Sequence, residues 1–93
     1  MEKTERIIIT VLGIDQIGIM AMISTALAEQ DVNILDISQT ILQGFFTMVM
    51  VADIAASPMD VGELKKMLQD KGKSLNLEIT VQHEDIFKFM HRI

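Results

Sequence analysis

Cysteine, tryptophan and tyrosine are absent from this chain, and proline occurs once. The lack of cysteine excludes disulfides and thiolate metal sites. No apolar run approaches the ~20 residues needed to cross a bilayer. The first, Ile7 to Leu12, has six residues and follows a charged start, Met1-Glu2-Lys3-Thr4-Glu5-Arg6. That pattern is neither a signal peptide nor a span, so a cytoplasmic protein with no membrane partner is expected. Basic residues are also scarce: 8 Lys and Arg stand against 13 Asp and Glu, a net charge of −5. Such a balance argues against a phosphate backbone as partner.

What remains is an oily chain of 93 residues, 49% apolar and with eight Met. The length fits one domain over residues 1–93, with 1–5 as a tail and 84–93 as a C-terminal helix. The apolar excess predicts that part of the surface is covered by a partner.

Ile7-Ile8-Ile9-Thr10-Val11-Leu12 is β-branched at five of six positions and reads as a strand. Ile19, Met22, Ile23, Ala26 and Leu27 recur at helical spacing, predicting a helix over 17–30. A strand over 34–42 follows, with Leu35, Ile37 and Ile41 on one face and Asp36, Ser38 and Thr40 on the other. Gln43-Gly44 suits a two-residue hairpin turn. The next strand, 45–55, is apolar on both faces. Ser57-Pro58-Met59-Asp60 predicts a helix start capped by Ser57, with Val61, Leu64 and Leu68 as its stripe and Gly72 as its stop. Leu75 to Gln82 alternates as a last strand.

The order β-α-β-β-α-β is two split βαβ units, an α+β ferredoxin-like fold. Right-handed crossovers give an antiparallel sheet in the order 4-1-3-2. The patterning agrees, because the first and third runs are apolar on both faces while the second and fourth alternate. Both helices then share one sheet face. On the other, Ile8, Leu12 and half of the third strand need cover, from the C-terminal helix or from a second subunit.

Gly13-Ile14-Asp15-Gln16-Ile17-Gly18-Ile19 joins the first strand to the first helix. Its two glycines invite comparison with phosphate loops, but Ile19-Met20 stand where a P-loop has Lys and Ser/Thr. His83 and His91 are too far apart for one metal ion if both lie on a helix, and no nucleophile–base pattern points to an enzyme. Neither a catalytic residue, a metal nor a cofactor is assigned. Gln43 to Val49 faintly echoes the third-strand signature of RNA-recognition modules. It lacks the leading basic residue and the second aromatic, and the first strand has no ring for stacking.

Two readings of the loop stand side by side. In one, Asp15 caps the helix and nothing binds. In the other, amides near Gly18 and Ile19 hold a carboxylate, Asp15 holds an ammonium group, and Asn33 adds a donor and an acceptor. A small α-amino acid has matching ends, and Ile14, Ile17 and Ile34 offer apolar walls for a neutral side chain.

Gly13-x-Asp15-x-x-Gly18-Ile19, Leu27-Ala28-Glu29, Val32-Asn33-Ile34 and Asp36-Ile37-Ser38-Gln39-Thr40 together resemble the ACT domain. The chain is most similar to small stand-alone ACT proteins, and also to the modules of the glycine-cleavage repressor and formyltetrahydrofolate deformylase. The resemblance implies a regulatory module and a homodimer, with an amino acid bound between paired domains. The ligand would lie against Gly13, Asp15, Gln16, Ile17, Gly18 and Ile19, with Asn33 and Ile34 nearby. ACT domains with a serine site carry His, Asn and Pro where Gly13, Asp15 and Ile17 stand, which points away from serine. The alternative is a protein-interaction module whose loop is only a cap.

Overall fold

A computed structural model describes residues 4–86. The C-terminal helix expected over 84–93 lies almost wholly outside the described residues. Four strands form one antiparallel sheet: β1 (Arg6–Ile14), β2 (Asn33–Leu42), β3 (Phe45–Asp53) and β4 (Glu78–His83). Their spatial order is β2-β3-β1-β4, the expected 4-1-3-2 read from the other edge. Helices α1 (Ile19–Glu29) and α2 (Val61–Gly72) complete the ferredoxin-like fold.

Alternation along the strands builds the core. Ile7, Ile9 and Val11 of β1, Met48, Met50 and Ala52 of β3, and Ile79 and Val81 of β4 are buried together with Ile23 and Leu27 of α1 and Leu64 and Leu68 of α2. Each such large side chain contributes about 1.5–3 kcal/mol by leaving water. The partner residues on the opposite sheet face stay open: Leu12, Phe45 and Val49 are all exposed. Glu5, expected in a tail, is tied down: its amide donates to Asp53 Oδ1 at 3.0 Å, and its carbonyl accepts from Ile54.

The local signals were displaced in several places. Helix α2 starts at Val61, capped by Asp60 in a reciprocal box with Glu63. Ser57 instead accepts from the Met59 amide at 3.2 Å, closing a turn before the helix. The two motifs overlap, and the Asp60 box wins because it leads directly into the apolar stripe. Gly72 does not stop the chain; its φ of −70° is helical, and a 3-10 turn, Lys73–Leu75, follows before Asn76 at φ 55° ends the helical path. β4 therefore begins at Glu78 instead of Leu75. Gln43 and Gly44 both have positive φ, as a type I′ hairpin turn requires.

β2 departs from strict alternation. Ile34 pairs with Ala52 and Asp36 with Val51, so Leu35 is an inserted bulge residue. Ile34 and Ile37 therefore pair with residues of the helix-covered face, which simple alternation forbids.

Candidate functional site

Where β1 ends is decided by its partner strand. Pairing runs to Ile14 opposite Phe45, two residues past the expected end, and places Gly13 inside the strand opposite Phe46. Gly13 does not supply a positive φ. A Cβ there would come within 2.5 Å of Leu77 Cδ2, so its role is close approach of the Asn76–Leu77 segment.

Beyond Ile14 the loop is anchored twice. The Asp15 amide donates to the Gly44 carbonyl at 2.8 Å. Gln16 Nε2 donates to the carbonyls of Leu75 at 2.8 Å and Ile14 at 3.1 Å, bridging the loop to the turn after α2. Sequence reasoning had Gln16 as a ligand contact and missed this buttress. The available signal was Asn76, a residue type that tolerates the left-handed conformation and so marks a chain reversal.

Gly18 is the N-cap of α1, with φ 98° and no side-chain cap. The expectation that Asp15 caps this helix is corrected: it lies three residues before the cap, and its backbone is committed to Gly44. Its exposed carboxylate makes no hydrogen bond or ion pair among the described residues. Met22 is the first residue to donate back to Gly18, at 3.0 Å. The amides of Ile19, Met20 and Ala21 are thus left without intrahelical acceptors, at the positive end of the helix dipole, and no acid occupies the first turn. An uncapped helix end beside an uncommitted carboxylate can receive the two ends of a zwitterion.

The structure brings Gly13, Asp15, Gln16, Ile17, Gly18 and Ile19 together, but not Asn33 and Ile34. Asn33 pairs with Asp53, which pairs with Arg6, whereas the loop follows Ile14 at the other end of β1. Eight residues of strand separate the two ends, about 27 Å. Asn33 can approach such a loop only if it belongs to another copy. The walls expected from Ile14, Ile17 and Ile34 likewise do not enclose a pocket in one chain: Ile17 is fully exposed, Ile14 is exposed, and Ile34 is at the far end.

Ionic contacts of Arg6 and His83 gather at that far end, while Lys73 meets Asp70 at the end of α2. Arg6 reaches Glu84 Oε1 through Nε at 3.1 Å and Nη2 at 2.8 Å, and Glu84 holds its guanidinium more firmly protonated. Amides of Glu5 and Ala55 donate to the Asp53 carboxylate and lower its pKa below the usual value. No group of His, Cys, Asp and Glu suited to a metal ion occurs among the described residues, and none of their helices is long and apolar enough to cross a membrane.

Comparison with known proteins places these features. The ACT domain family matches residues 5–82. A UPF0237 protein of Methanosarcina acetivorans is 51% identical over 90 residues, 97% of this chain and 98% of that protein. An ACT domain protein from Streptococcus pneumoniae superposes with a TM-score of 0.80 at 39% identity, covering 91% of this chain and 96% of the other. A formyltetrahydrofolate deformylase from Pseudomonas syringae shares the fold, with a TM-score of 0.82 at 16% identity over 89% of this chain and 28% of that one. ACT domains are generally small-ligand regulatory modules, and no catalytic family is indicated. Family match, strand order and a solved relative of nearly equal length agree: this chain belongs to the ACT domain family.

Proposed function

We propose that the chain is a cytoplasmic, non-catalytic regulatory module that binds a small neutral amino acid at an interface between two copies. The observation that carries this reading is the uncapped N-terminus of α1 beside the uncommitted carboxylate of Asp15. The amides of the first turn take the ligand carboxylate, and Asp15 takes its ammonium group.

The second wall comes from a partner. β2 is an edge strand of ten residues with no proline, lysine or arginine and with Asp36 as its sole charge. Apart from the bulge at Leu35 near its start, such an edge lacks the devices that block pairing. Antiparallel pairing of two β2 strands about a two-fold axis carries Asn33 and Ile34 of one copy toward the end of the sheet where the other copy has its loop. A ligand carrying a second carboxylate meets repulsion from Asp15, so aspartate and glutamate bind more weakly than neutral amino acids.

A thermal-shift panel of the twenty amino acids, followed by calorimetry on any that stabilise, tests the reading. A ligand at 100 times its Kd adds about 2.7 kcal/mol of stability. Asp15→Ala is expected to abolish that shift with the fold intact, and N-acetylation of the ligand to do the same. Equal affinity for a neutral amino acid, its N-acetyl form and glutamate would remove Asp15 from the site.

A further inference from the structure

The sheet has a second edge, β4, which α2 overlooks. Gln69 of α2 donates from Nε2 to the Ile79 carbonyl at 3.0 Å. The backbone polar groups of Ile79 therefore point away from β1. Five residues on, the Glu84 amide donates to the Arg6 carbonyl at 3.0 Å, toward β1. Alternation along an antiparallel ladder turns the N–H and C=O groups of Val81 and His83 outward with those of Ile79. Among the described residues β4 pairs with β1 and with no other strand. The side of α2 above this edge is cationic. Lys65, Gln69 and the C-cap Lys73 recur at i, i+4 and i+8 and share one stripe. Gln69 and Lys73 form one wall of a groove of about 210 Å³, and Leu77, Glu78 and Ile79 form the other. The acids Glu63 and Asp70 line a different groove, with Met59 and Met67. Lys73 does reach Asp70 at 3.5 Å, but as an exposed pair, which contributes little.

We propose that an extended acidic segment of another protein adds to the β4 edge as a further antiparallel strand. Its main chain pairs with Ile79, Val81 and His83, and its carboxylates meet Lys65 and Lys73. The spacings agree. Lys65 and Lys73 are eight residues apart along the helical path, about 12 Å. Side chains on one face of a strand recur every ~6.8 Å, so acids at i and i+4 stand about 14 Å apart. The residue between them, i+2, comes under Gln69. There its amide takes over the Ile79 carbonyl, so Gln69 holds in advance the place of an incoming backbone donor. Side chains on the other face of the added strand meet Glu78, Thr80 and Gln82, which pair with the open-face residues of β1. An acid opposite Glu78 is repelled, so the recognised pattern is two acids at i and i+4 with neutral residues between.

Charge argues against the other occupants. Pairing β4 with β4 of a second copy sets both α2 helices on one side of the joined sheet, with their lysine stripes facing each other. The chain's own continuation, Phe87 to Ile93, brings Lys88 and Arg92 and no acid. A nucleic acid would need a broad positive surface, whereas this chain has a net charge of −5. The other edge, β2, has Asp36 as its sole charge and repels an acidic strand.

This surface is independent of the candidate loop and of any pairing through β2. NMR titration of the full chain with a capped peptide, Thr-Glu-Thr-Val-Thr-Glu-Thr, at low salt and pH 7 tests it. The amides of Ile79, Val81 and His83 are expected to shift, and their exchange with water to slow. The same peptide with lysine for both glutamates should bind at least tenfold more weakly. Lys65→Glu and Lys73→Glu should each weaken the glutamate peptide by a similar factor. Both lysines are exposed, so circular dichroism should report an unchanged fold. Gln69→Ala removes the donor that competes for the Ile79 carbonyl and should tighten binding several-fold, which a merely electrostatic association would not show. Equal affinity for the two peptides overturns the proposal, as do shifts confined to β2 or a Gln69→Ala chain that binds no tighter. Absence of any shift overturns it too, whether residues 87–93 or water covers the edge.

Discussion

The amide of Asp15 donates to the carbonyl of Gly44 at 2.8 Å, and this bond joins the loop after β1 to the hairpin turn between β2 and β3. The end of the sheet that carries the candidate site is therefore one braced unit. It also holds the two glycines with positive φ, Gly18 at 98° and Gly44 at 82°.

Gly18→Ala isolates backbone conformation from packing, since nothing lies within 4 Å of the Cβ it would add. The expected loss is about 1–2 kcal/mol from the left-handed conformation alone. Gly18→Asn should lose less, because Asn visits that region more readily. Urea unfolding with an unchanged slope checks both, and an alanine variant as stable as the native chain would contradict the assigned conformation.

Asp60→Ala and Asp15→Ala should behave differently although both acids precede helices. Asp60 accepts from the Glu63 amide at 2.8 Å, and its removal is expected to cost about 1 kcal/mol. Asp15 caps nothing, so its substitution should change stability by less than about 0.5 kcal/mol. In a domain of this size 1 kcal/mol moves Tm by about 4–8 °C, so calorimetry separates the two.

Gln16→Glu replaces the donor that bridges the carbonyls of Ile14 and Leu75 with an acceptor. Two exposed hydrogen bonds are lost and a carboxylate is turned toward two carbonyl oxygens, with an expected cost of about 1–2 kcal/mol. Hydrogen exchange of the amides around Asn76 and Leu77 should quicken, because that turn loses its tie to the loop. Native-like protection there would show that the bridge does not hold it.

Acid stability should depend on Asp53. Amide hydrogen bonds from Glu5 and Ala55 lower its pKa in the folded chain below the usual 3.8. A depressed carboxylate stabilises the fold above its unfolded pKa, and that stabilisation disappears as pH falls through the folded value. Stability of the native chain should therefore decline below about pH 4, in part through this group. Asp53→Asn should flatten that part of the decline. Parallel urea titrations at pH 7 and near pH 3 measure it, and an equal decline in both proteins would exclude Asp53.

Strand order was legible because right-handed crossovers leave one arrangement for this succession of elements, and composition agrees with it. A central strand is covered on more sides than an edge strand, and the runs apolar on both faces are indeed β1 and β3. The hairpin turn was legible for a local reason, Gly44 being the residue that takes positive φ cheaply. The candidate loop was legible as a chain segment: Gly18 opens α1, and Asp15 stands beside it. Its internal roles were not, because they depend on contacts distant in sequence. Whether Asp15 or Gly18 begins the helix is decided by how far β1 pairs with β3, and Gly13 matters only because Leu77 comes against it.

By itself, then, the sequence determined the fold and the family, through apolar periodicity, turn residues and the run from Gly13 to Thr40. Tertiary structure alone decided that Leu35 is a bulge, that Gln16 braces the loop, and that Asn33 lies about 27 Å from the residues it was expected to join. The reason is physical. Periodicity and turn propensity are local free energies, of the same sign wherever the segment sits, whereas register and end-to-end placement are fixed by which strand lies beside which, and antiparallel order puts the start of β2 at the opposite end of the sheet from the end of β1.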